Sequence, residues 1–171
     1  MTAVMRKRNM VHLFNCLNAA LPSSPFFSLR RTLLRLCGIQ VGRTVQINTR
    51  VSFYWHNVVI GEHTWIGPEC GFCSTAEAGI HIGENCDIAP RVVFVTGTHE
   101  IGDSHRRAGE GKSLPIWVGD GCWIGVCSII LGGARIGNGC VVAAGAVVLG
   151  GEYADNSLIA GVPAQIKRTL A

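Results

Sequence analysis

The sequence predicts an all-β fold: a parallel β-helix with a triangular cross-section, preceded by a short helical segment. Three observations support this prediction. An apolar residue recurs every six positions from residue 41 onward, glycine follows it directly in seven of fifteen repeats, and phenylalanine takes every third repeat in the first part of the series. A six-residue unit is too short to fold alone, so each unit must form one flat face of a coil and pair with the coils above and below.

The repeat positions also give the number of faces. Twelve of the fifteen apolar residues are valine or isoleucine. They are Val41, Ile47, Phe53, Ile60, Ile66, Phe72, Ile82, Ile88, Phe94, Val118, Ile124, Ile130, Ile136, Val142 and Val148. Because each phenylalanine takes the third place of a triplet, three hexapeptides close one coil. Five coils at ~4.8 Å per stacked strand would form a prism roughly 24 Å tall.

The residues before the first coil are expected to form amphipathic helices. Five apolar residues follow the spacing of one helical stripe: Met10, Leu13, Phe14, Leu17 and Leu21. A second, shorter stripe runs over residues 29–36, and Gly38 can cap it. Polar residues interrupt the first apolar stretch, which argues against a signal peptide, and no segment reaches the ~20 apolar residues of a membrane span.

Charge is distributed unevenly along the chain. Residues 1–61 carry eight basic residues and no carboxylate, although the net charge of the whole chain is +4. A basic, apolar start suits an anionic membrane surface, so we expect a cytoplasmic protein in which residues 1–21 contact the inner face of the membrane. The competing hypothesis is that the helical stripes cap the open end of the prism, with Arg30, Arg31 and Arg35 as a solvated face.

Breaks in the six-residue period mark where the chain leaves the prism. Four residues are inserted before Ile82, four before Leu158, and eighteen between His99 and Val118. Residues 100–117 are polar and glycine-containing, so we expect a projecting loop, and loops on rigid scaffolds commonly carry function.

The chain of 171 residues is long enough for one compact domain. The predicted organisation is an amphipathic helical segment over 1–38, a β-helix over 39–166 with a projecting loop at 100–117, and a tail over 167–171.

The eight cysteines are expected to be structural. Without an export signal a reducing compartment is favoured, and the lone CxxC pair of Cys70 and Cys73 lacks the second pair that a zinc site needs. Cys70, Cys86, Cys122 and Cys140 fall at the small inward position of the repeat, so they are interpreted as core fillers, and no metal is expected.

The repeat and three further segments resemble a known family. The pattern of apolar residue, glycine and small residue is similar to the hexapeptide-repeat acyltransferases, as are residues 96–100 (TGTHE), 118–125 (VGDGCWIG) and 160–164 (AGVPA). Together with residues 33–42 they resemble the branch that O-acetylates capsule, exopolysaccharide or related sugars. The resemblance implies a left-handed β-helix, a bacterial homotrimer, acetyl-CoA as co-substrate and a saccharide acceptor, with no nucleic-acid partner.

His99 is the candidate catalytic residue. It closes the third coil directly before the long insertion, so its ring can stand beside a surface groove. A neutral imidazole can take the proton of a sugar hydroxyl as that oxygen attacks a thioester carbonyl, and the matching histidine does this in the family. Glu100 either orients the ring or is solvated, and His105 is a candidate contact for the acceptor.

The resemblance also implies a set of acetyl-CoA contacts. They are Trp123, Gly125, Val126, Ala144, Gly145, Lys167 and Arg168. Trp123 would pack against the thioester arm or the neighbouring subunit, and a backbone N–H near Gly125 or Val126 would stabilise a developing oxyanion. The small residues at 144 and 145 leave room for the pantetheine chain, and the basic pair at 167–168 would hold the phosphates.

Three alternatives remain open from the sequence. Enzymes that acetylate simple sugars or drugs share most of these motifs. The γ-class carbonic anhydrases share the prism and bind zinc through three histidines; here His81, His99 and His105 are candidates, although the last two are more widely spaced than in that family. A non-catalytic β-helix that serves as an assembly or binding module is the third.

Overall fold

A computed structural model describes residues 3–22 and 26–171, with side chains from Asn9 onward. It shows a left-handed parallel β-helix of about six turns, with helices at its amino-terminal end. The predicted fold class is confirmed. Among the described residues, no helix is long and apolar enough to cross a membrane.

The described residues form two α-helices, α1 (Ala3–Ala20) and α2 (Phe27–Leu36). Residues 39–171, all of them described, form the prism and a two-stranded arm that projects from it. The three parallel sheets of the prism are called faces A, B and C. Face A consists of β1 (Gln40–Val41), β4 (Val58–Ile60), β7 (Ile80–Ile82), β12 (Ile116–Val118), β15 (Ala134–Ile136) and β18 (Gly151–Tyr153). The parallel strands of face B are β2 (Gln46–Ile47), β5 (Trp65–Ile66), β8 (Asp87–Ile88), β13 (Trp123–Ile124), β16 (Val141–Val142) and β19 (Ser157–Gly161). Face C consists of β3 (Ser52–Phe53), β6 (Gly71–Cys73), β9 (Val93–Val95), β14 (Ile129–Leu131) and β17 (Val147–Val148).

Three strands lie outside this parallel stacking. β10 (Gly97–Ile101) and β11 (Ala108–Ser113) pair antiparallel with each other, and β20 (Ala164–Thr169) folds back antiparallel on β19. The chain runs from face A to B to C in each coil, so corner AB, corner BC and corner CA name the turns between successive faces.

The core follows the six-residue period. All fifteen predicted repeat positions are buried. Phe53 lies opposite Phe72, and Phe72 opposite Phe94, with ring centroids 4.9 and 5.0 Å apart. The stacked rings confirm that three hexapeptides close one coil.

Glycine follows the inward residue because the coils touch there through their backbones. A Cβ on Gly61 would lie 2.6 Å from the carbonyl carbon of Gly83, and a Cβ on Gly125 would lie 2.6 Å from the amide nitrogen of Ala144. A side chain at either position would therefore force neighbouring coils apart.

The interpretation of Cys70, Cys86, Cys122 and Cys140 as core fillers is confirmed, whereas Cys16 and Cys127 are exposed. Cys86, Cys122 and Cys140 lie at the same inward position of successive coils, and each thiol donates to a carbonyl of the next coil at 3.1–3.2 Å. Burial raises the pKa of the Cys70 thiol to about 12. All eight cysteines, each within the described residues, are free.

The carboxy-terminal end differs from the prediction. Faces A and B contain six stacked strands rather than five. Tyr153 pairs with Ile136 on face A, and Ile159, six residues later, pairs with Val142 on face B. The predicted insertion before Leu158 is therefore wrong. Residues 150–152 carry no apolar side chain, and the register is set instead by the backbone, where the Gly137 N–H donates to the Tyr153 carbonyl at 2.9 Å.

α1 covers the open edge of the first coil. The Asn15 amide group donates to the Phe53 carbonyl at 2.8 Å and accepts from the Phe53 N–H at 3.1 Å. This side chain thus makes the two hydrogen bonds that a further strand would make. The ring of Phe14 packs edge-on against Phe53, with centroids 5.9 Å apart.

A buried arginine joins the two helices to the prism. Arg30 is 0% exposed, and its Nε donates to Asn18 Oδ1 at 2.6 Å. Asn18 in turn donates to the Val51 carbonyl at 2.8 Å. Desolvation lowers the pKa of Arg30.

The two other arginines of α2 donate directly to carbonyls of the first coil. Arg31 reaches the Val45 carbonyl at 2.9 Å, and Arg35 reaches the Val41 carbonyl at 2.8 Å. The expectation that Arg30, Arg31 and Arg35 form a solvated face is therefore wrong. Arg31 and Arg35 satisfy acceptors that no coil below can satisfy, and this supports capping by residues 29–38.

We expect Asn18→Ala to lower the free energy of unfolding by about 3 kcal/mol, because Arg30 loses its Asn18 acceptor and the Val51 carbonyl loses a donor in a buried setting. Urea unfolding at matched protein concentrations measures the loss. His12→Ala, an exposed change on the same helix, should stay within about 0.5 kcal/mol of the unaltered chain. Equal losses in the two variants would contradict this account of the cap.

Candidate active site

The long insertion forms a hairpin arm at corner CA. β10 and β11 pair with Thr98 opposite Lys112 and His99 opposite Gly111. The arm is fixed to the second coil by a 2.9 Å hydrogen bond between the hydroxyls of Thr75 and Ser113. The expected loop is thus an ordered two-stranded arm, whose glycine-rich strands lack the alternating apolar pattern that predicts a hairpin.

His99 lies at the base of this arm with its ring exposed. Its Nδ1 is 3.1 Å from the carbonyl oxygen of Gly109. Because a carbonyl can only accept, Nδ1 carries the hydrogen, and Nε2 of the neutral ring keeps its lone pair. The geometry therefore prepares Nε2 to accept a proton.

An open groove of about 750 Å³ borders His99. Its lining residues are Thr75, Glu77, Gly97, Thr98, His99, Gly111, Lys112 and Ser113. Three hydroxyls, one carboxylate and one ammonium group line this groove, which suits a ligand rich in hydroxyl groups. Sequence reasoning missed Thr75 and Glu77; the four-residue insertion before Ile82 was the available signal for them.

Glu100 and His105 lie elsewhere on the arm. The Glu100 carboxylate pairs with the Lys112 ammonium group at 2.6 Å, so the His99 ring donates to the Gly109 carbonyl and not to Glu100. His105 lies in the turn between the two strands, where its backbone N–H donates to the Asp103 carboxylate at 2.9 Å. It is not among the residues that line the groove.

Four of the predicted acetyl-CoA contacts come together at corner BC. The Gly145 N–H donates to the Val126 carbonyl at 2.9 Å, which places the turn of Ala144 and Gly145 directly on that of Gly125 and Val126. A Cβ on Gly145 would meet no atom within 4 Å, so the space outside this turn is open.

The two candidate oxyanion donors differ in availability. The Gly125 N–H donates to the Val142 carbonyl at 2.8 Å and is therefore used within the β-helix. The Val126 N–H donates to no acceptor in the part of the chain that the structure describes. Of the pair, Val126 is the one that can donate to a ligand.

Lys167 and Trp123 flank the same corner. The Lys167 ammonium group lies 4.0 Å from the Cβ position of Gly161, which ends β19 at corner BC of the last coil. Arg168 lies opposite Leu158 in the β19–β20 pair. Trp123 stands on the outer side of face B, 58% exposed, and with Trp65 it walls a shallow pocket of about 330 Å³.

His99 and Val126 lie at different corners of one subunit. Face C separates them by about six extended residues, roughly 20 Å. A general base and an oxyanion donor must both lie within about 3 Å of the reacting groups. One subunit therefore cannot supply both to the same reaction.

The histidines proposed as zinc ligands do not converge. The His81 ring stacks on Trp117 on face A, with centroids 3.7 Å apart, and burial lowers the pKa of His81. Within residues 3–22 and 26–171, no three potential metal-ligating side chains come together. The zinc alternative gains no support from this arrangement.

Comparisons with known proteins agree with the fold and the motifs. Residues 115–150 match the family described as "Bacterial transferase hexapeptide (six repeats)", and residues 57–89 match "Hexapeptide repeat of succinyl-transferase". The chain is 30% identical to the galactoside O-acetyltransferase of Escherichia coli K12 over 142 residues, which cover 82% of this chain and 68% of that protein.

Two further proteins extend the comparison. A Dictyostelium discoideum protein, whose name describes an acetyltransferase, is 40% identical over 113 residues, 66% of this chain; the match spans 58% of that relative, little more than half its length. The structure of a hexapeptide-repeat acetyltransferase from Vibrio cholerae O1 biovar eltor, complexed with acetyl coenzyme A, superposes with a TM-score of 0.84 at 27% identity. The superposition covers 98% of this chain and 88% of that one.

We expect the neutral ring of His99 to carry its hydrogen on Nδ1, because the Gly109 carbonyl accepts there. Free imidazole side chains in water favour hydrogen on Nε2, so nitrogen-15 NMR at mildly alkaline pH separates the two forms. A spectrum of His99 dominated by the Nε2–H form would show that Gly109 does not hold the ring in solution.

Proposed function

The chain belongs to the hexapeptide-repeat acetyltransferases, and we propose that it transfers an acetyl group from acetyl-CoA to a hydroxyl group of a saccharide, with His99 as the general base. The observation that carries this proposal is the His99 ring, held through Nδ1 by the Gly109 carbonyl beside a groove lined with hydroxyl groups. The relationship to a galactoside O-acetyltransferase supports the acetyl group and the saccharide.

The reaction needs one proton acceptor and one anion stabiliser from the protein. Acetyl-CoA supplies an acetyl thioester, whose carbonyl carbon the saccharide oxygen attacks directly. His99 Nε2 takes the hydroxyl proton as the new C–O bond forms and returns it to the thiolate released when the C–S bond breaks. The Val126 N–H would stabilise the negative charge that develops on the carbonyl oxygen.

Corner BC has the features needed to hold an extended cofactor. The turns at Gly125–Val126 and Ala144–Gly145 leave an open track along successive coils, and Lys167 stands near its carboxy-terminal end. Lys167, with Arg168, would hold the phosphates, and the small residues would leave room for the pantetheine chain. Trp123 would flank the thioester arm or the neighbouring subunit.

A homotrimer would bring the two corners together. His99 of one subunit and Val126 of the next can meet only where subunits pack side by side, and closed cyclic symmetry then gives each site both groups. Face C supports such packing, because most of its outward positions are apolar where a solvated sheet would be polar. They include Cys73, Val93, Val95, Ile129, Leu131, Val147 and Leu149.

Finer expectations remain predictions. They include a capsule or exopolysaccharide acceptor, a bacterial source and a role of His105 in acceptor binding. They also include contact of residues 1–21 with an anionic membrane at its cytoplasmic side. A simple-sugar or drug acceptor and a non-catalytic binding module are the competing functions. Release of free thiol from acetyl-CoA against a panel of sugars, nucleotide sugars, lipid-linked saccharides and drugs discriminates these functions.

We expect His99→Ala to reduce turnover by about 10²-fold or more while acetyl-CoA still protects the protein against heat, since the lost interaction is proton transfer. Glu100→Gln should change turnover little, because Gly109 holds the ring. His12→Ala on α1 is the matched control. Near-normal turnover of His99→Ala would remove His99 from the mechanism.

Light scattering at micromolar concentration should give a mass of about 55 kDa, three times the 18.3 kDa of one chain. Ile129→Glu places a charge on the apolar outer side of face C and should reduce both the mass and the activity. Val59→Glu makes the same change on face A and should keep the trimer. A monomeric mass for the unaltered chain would contradict the shared site.

A further inference from the structure

The helical cap carries an apolar groove on its outer side. The groove holds about 210 Å³ between α1 and α2, and the described residues that line it are apolar or a cysteine. They are Met10, Leu13, Phe14, Leu17, Leu33, Leu36 and Cys37. Leu13 and Leu36 are 60% and 62% exposed, so these side chains do not contribute to the contact with the prism.

Capping does not require this surface. Val11, Phe14 and Leu34 already form the buried contact between the helices and the first coil. The leucines at 13, 17, 29 and 36 remain at least 43% exposed, which is a concentrated apolar patch for two short surface helices. A second contact is needed to explain it.

Charge identifies the chemistry of that contact. Arg6, Lys7 and Arg8 lie in α1, just before Met10, and no carboxylate occurs before Glu62. Hydrogen bonds from the Thr44 hydroxyl and from the backbone N–H groups of Arg43 and Thr44 lower the pKa of Glu62 to about 2, so even this first acid is engaged with the coil below it. The cap is thus an apolar groove in a purely basic segment.

We propose that the outer side of the α1–α2 cap docks on an anionic lipid surface, with the groove leucines at the acyl boundary and the positive charge of the segment attracting the headgroups. Pairing with a second cap would bring two basic segments together without a carboxylate between them, which charge disfavours. The inference rests on the proposed function in one respect: in a trimer with parallel prisms, three caps face the same side and their weak contacts act together.

Docking would place the active site close to the membrane. His99 follows the third coil, about 10 Å above the first at ~4.8 Å per coil. A saccharide linked to a lipid carrier at the same surface could reach the groove beside His99 without leaving the membrane.

Sedimentation of the full chain with vesicles tests the proposal. With phosphatidylglycerol–phosphatidylcholine vesicles at low salt we expect binding at least tenfold stronger than with phosphatidylcholine alone, and weaker binding as salt is added. The double variant Leu13→Ser/Leu36→Ser should lose at least tenfold. Ile166→Ser removes a comparably exposed apolar side chain on β20, at the opposite end of the prism, and should bind like the unaltered chain.

A second variant controls for the case in which the leucine double variant misfolds. Replacing Arg6, Lys7 and Arg8 by glutamine leaves the groove intact and should reduce binding to the anionic vesicles at least tenfold. Equal binding to neutral and anionic vesicles, no sedimentation at low salt, or a larger soluble assembly that the leucine variant dissolves would each overturn the proposal. If vesicle binding fails while the trimer mass and heat protection by acetyl-CoA persist, only the docking is wrong and the proposed function stands.

Discussion

The spacing between stacked coils constrains every other feature of this protein. Parallel strands pair about 4.8 Å apart, so the backbone must return to the same three faces at that height in every coil. Backbones touch where strands of faces A and B end, which is why glycine follows the inward residue at Gly61 and Gly125. The same spacing stacks the phenylalanine rings and places the thiols of Cys70, Cys86, Cys122 and Cys140 within reach of a carbonyl on the next coil.

A stack of this kind has two ends, and each exposes a row of unpaired backbone groups. At the carboxy-terminal end, β20 folds back on β19. At the amino-terminal end, Arg31 and Arg35 donate to carbonyls of the first coil, and Arg30 holds the asparagine that does the same. The unpaired groups that these side chains reach are carbonyls, so hydrogen-bond donors are required. This requirement accounts for three of the eight basic residues within residues 1–61, which contain no acidic residue.

The fold was predictable because the inward position of a narrow prism tolerates few residue types, so the period is visible without an alignment. The register of the sixth coil was not predictable, because none of residues 150–152 is apolar and the backbone of the coil below decides the pairing. His99 was predictable from its place before the insertion. Its hydrogen-bond partner Gly109 was not predictable, because every residue has a carbonyl group. Thr75 was not predictable either, because it lines the groove only through the stacking of one coil on another.

The hydrogen bond between the His99 ring and a main-chain carbonyl has an evolutionary consequence. No side chain of the arm contributes the hydrogen bond that orients the ring. The side chains of the arm can therefore diversify, and with them the range of acceptors, while the orientation of the base is inherited unchanged. The length and pairing of the arm are not free in this way, because a deletion that shifts its register would move the Gly109 carbonyl away from the ring. Selection should thus act strictly on the number of residues in the arm and only loosely on their identity.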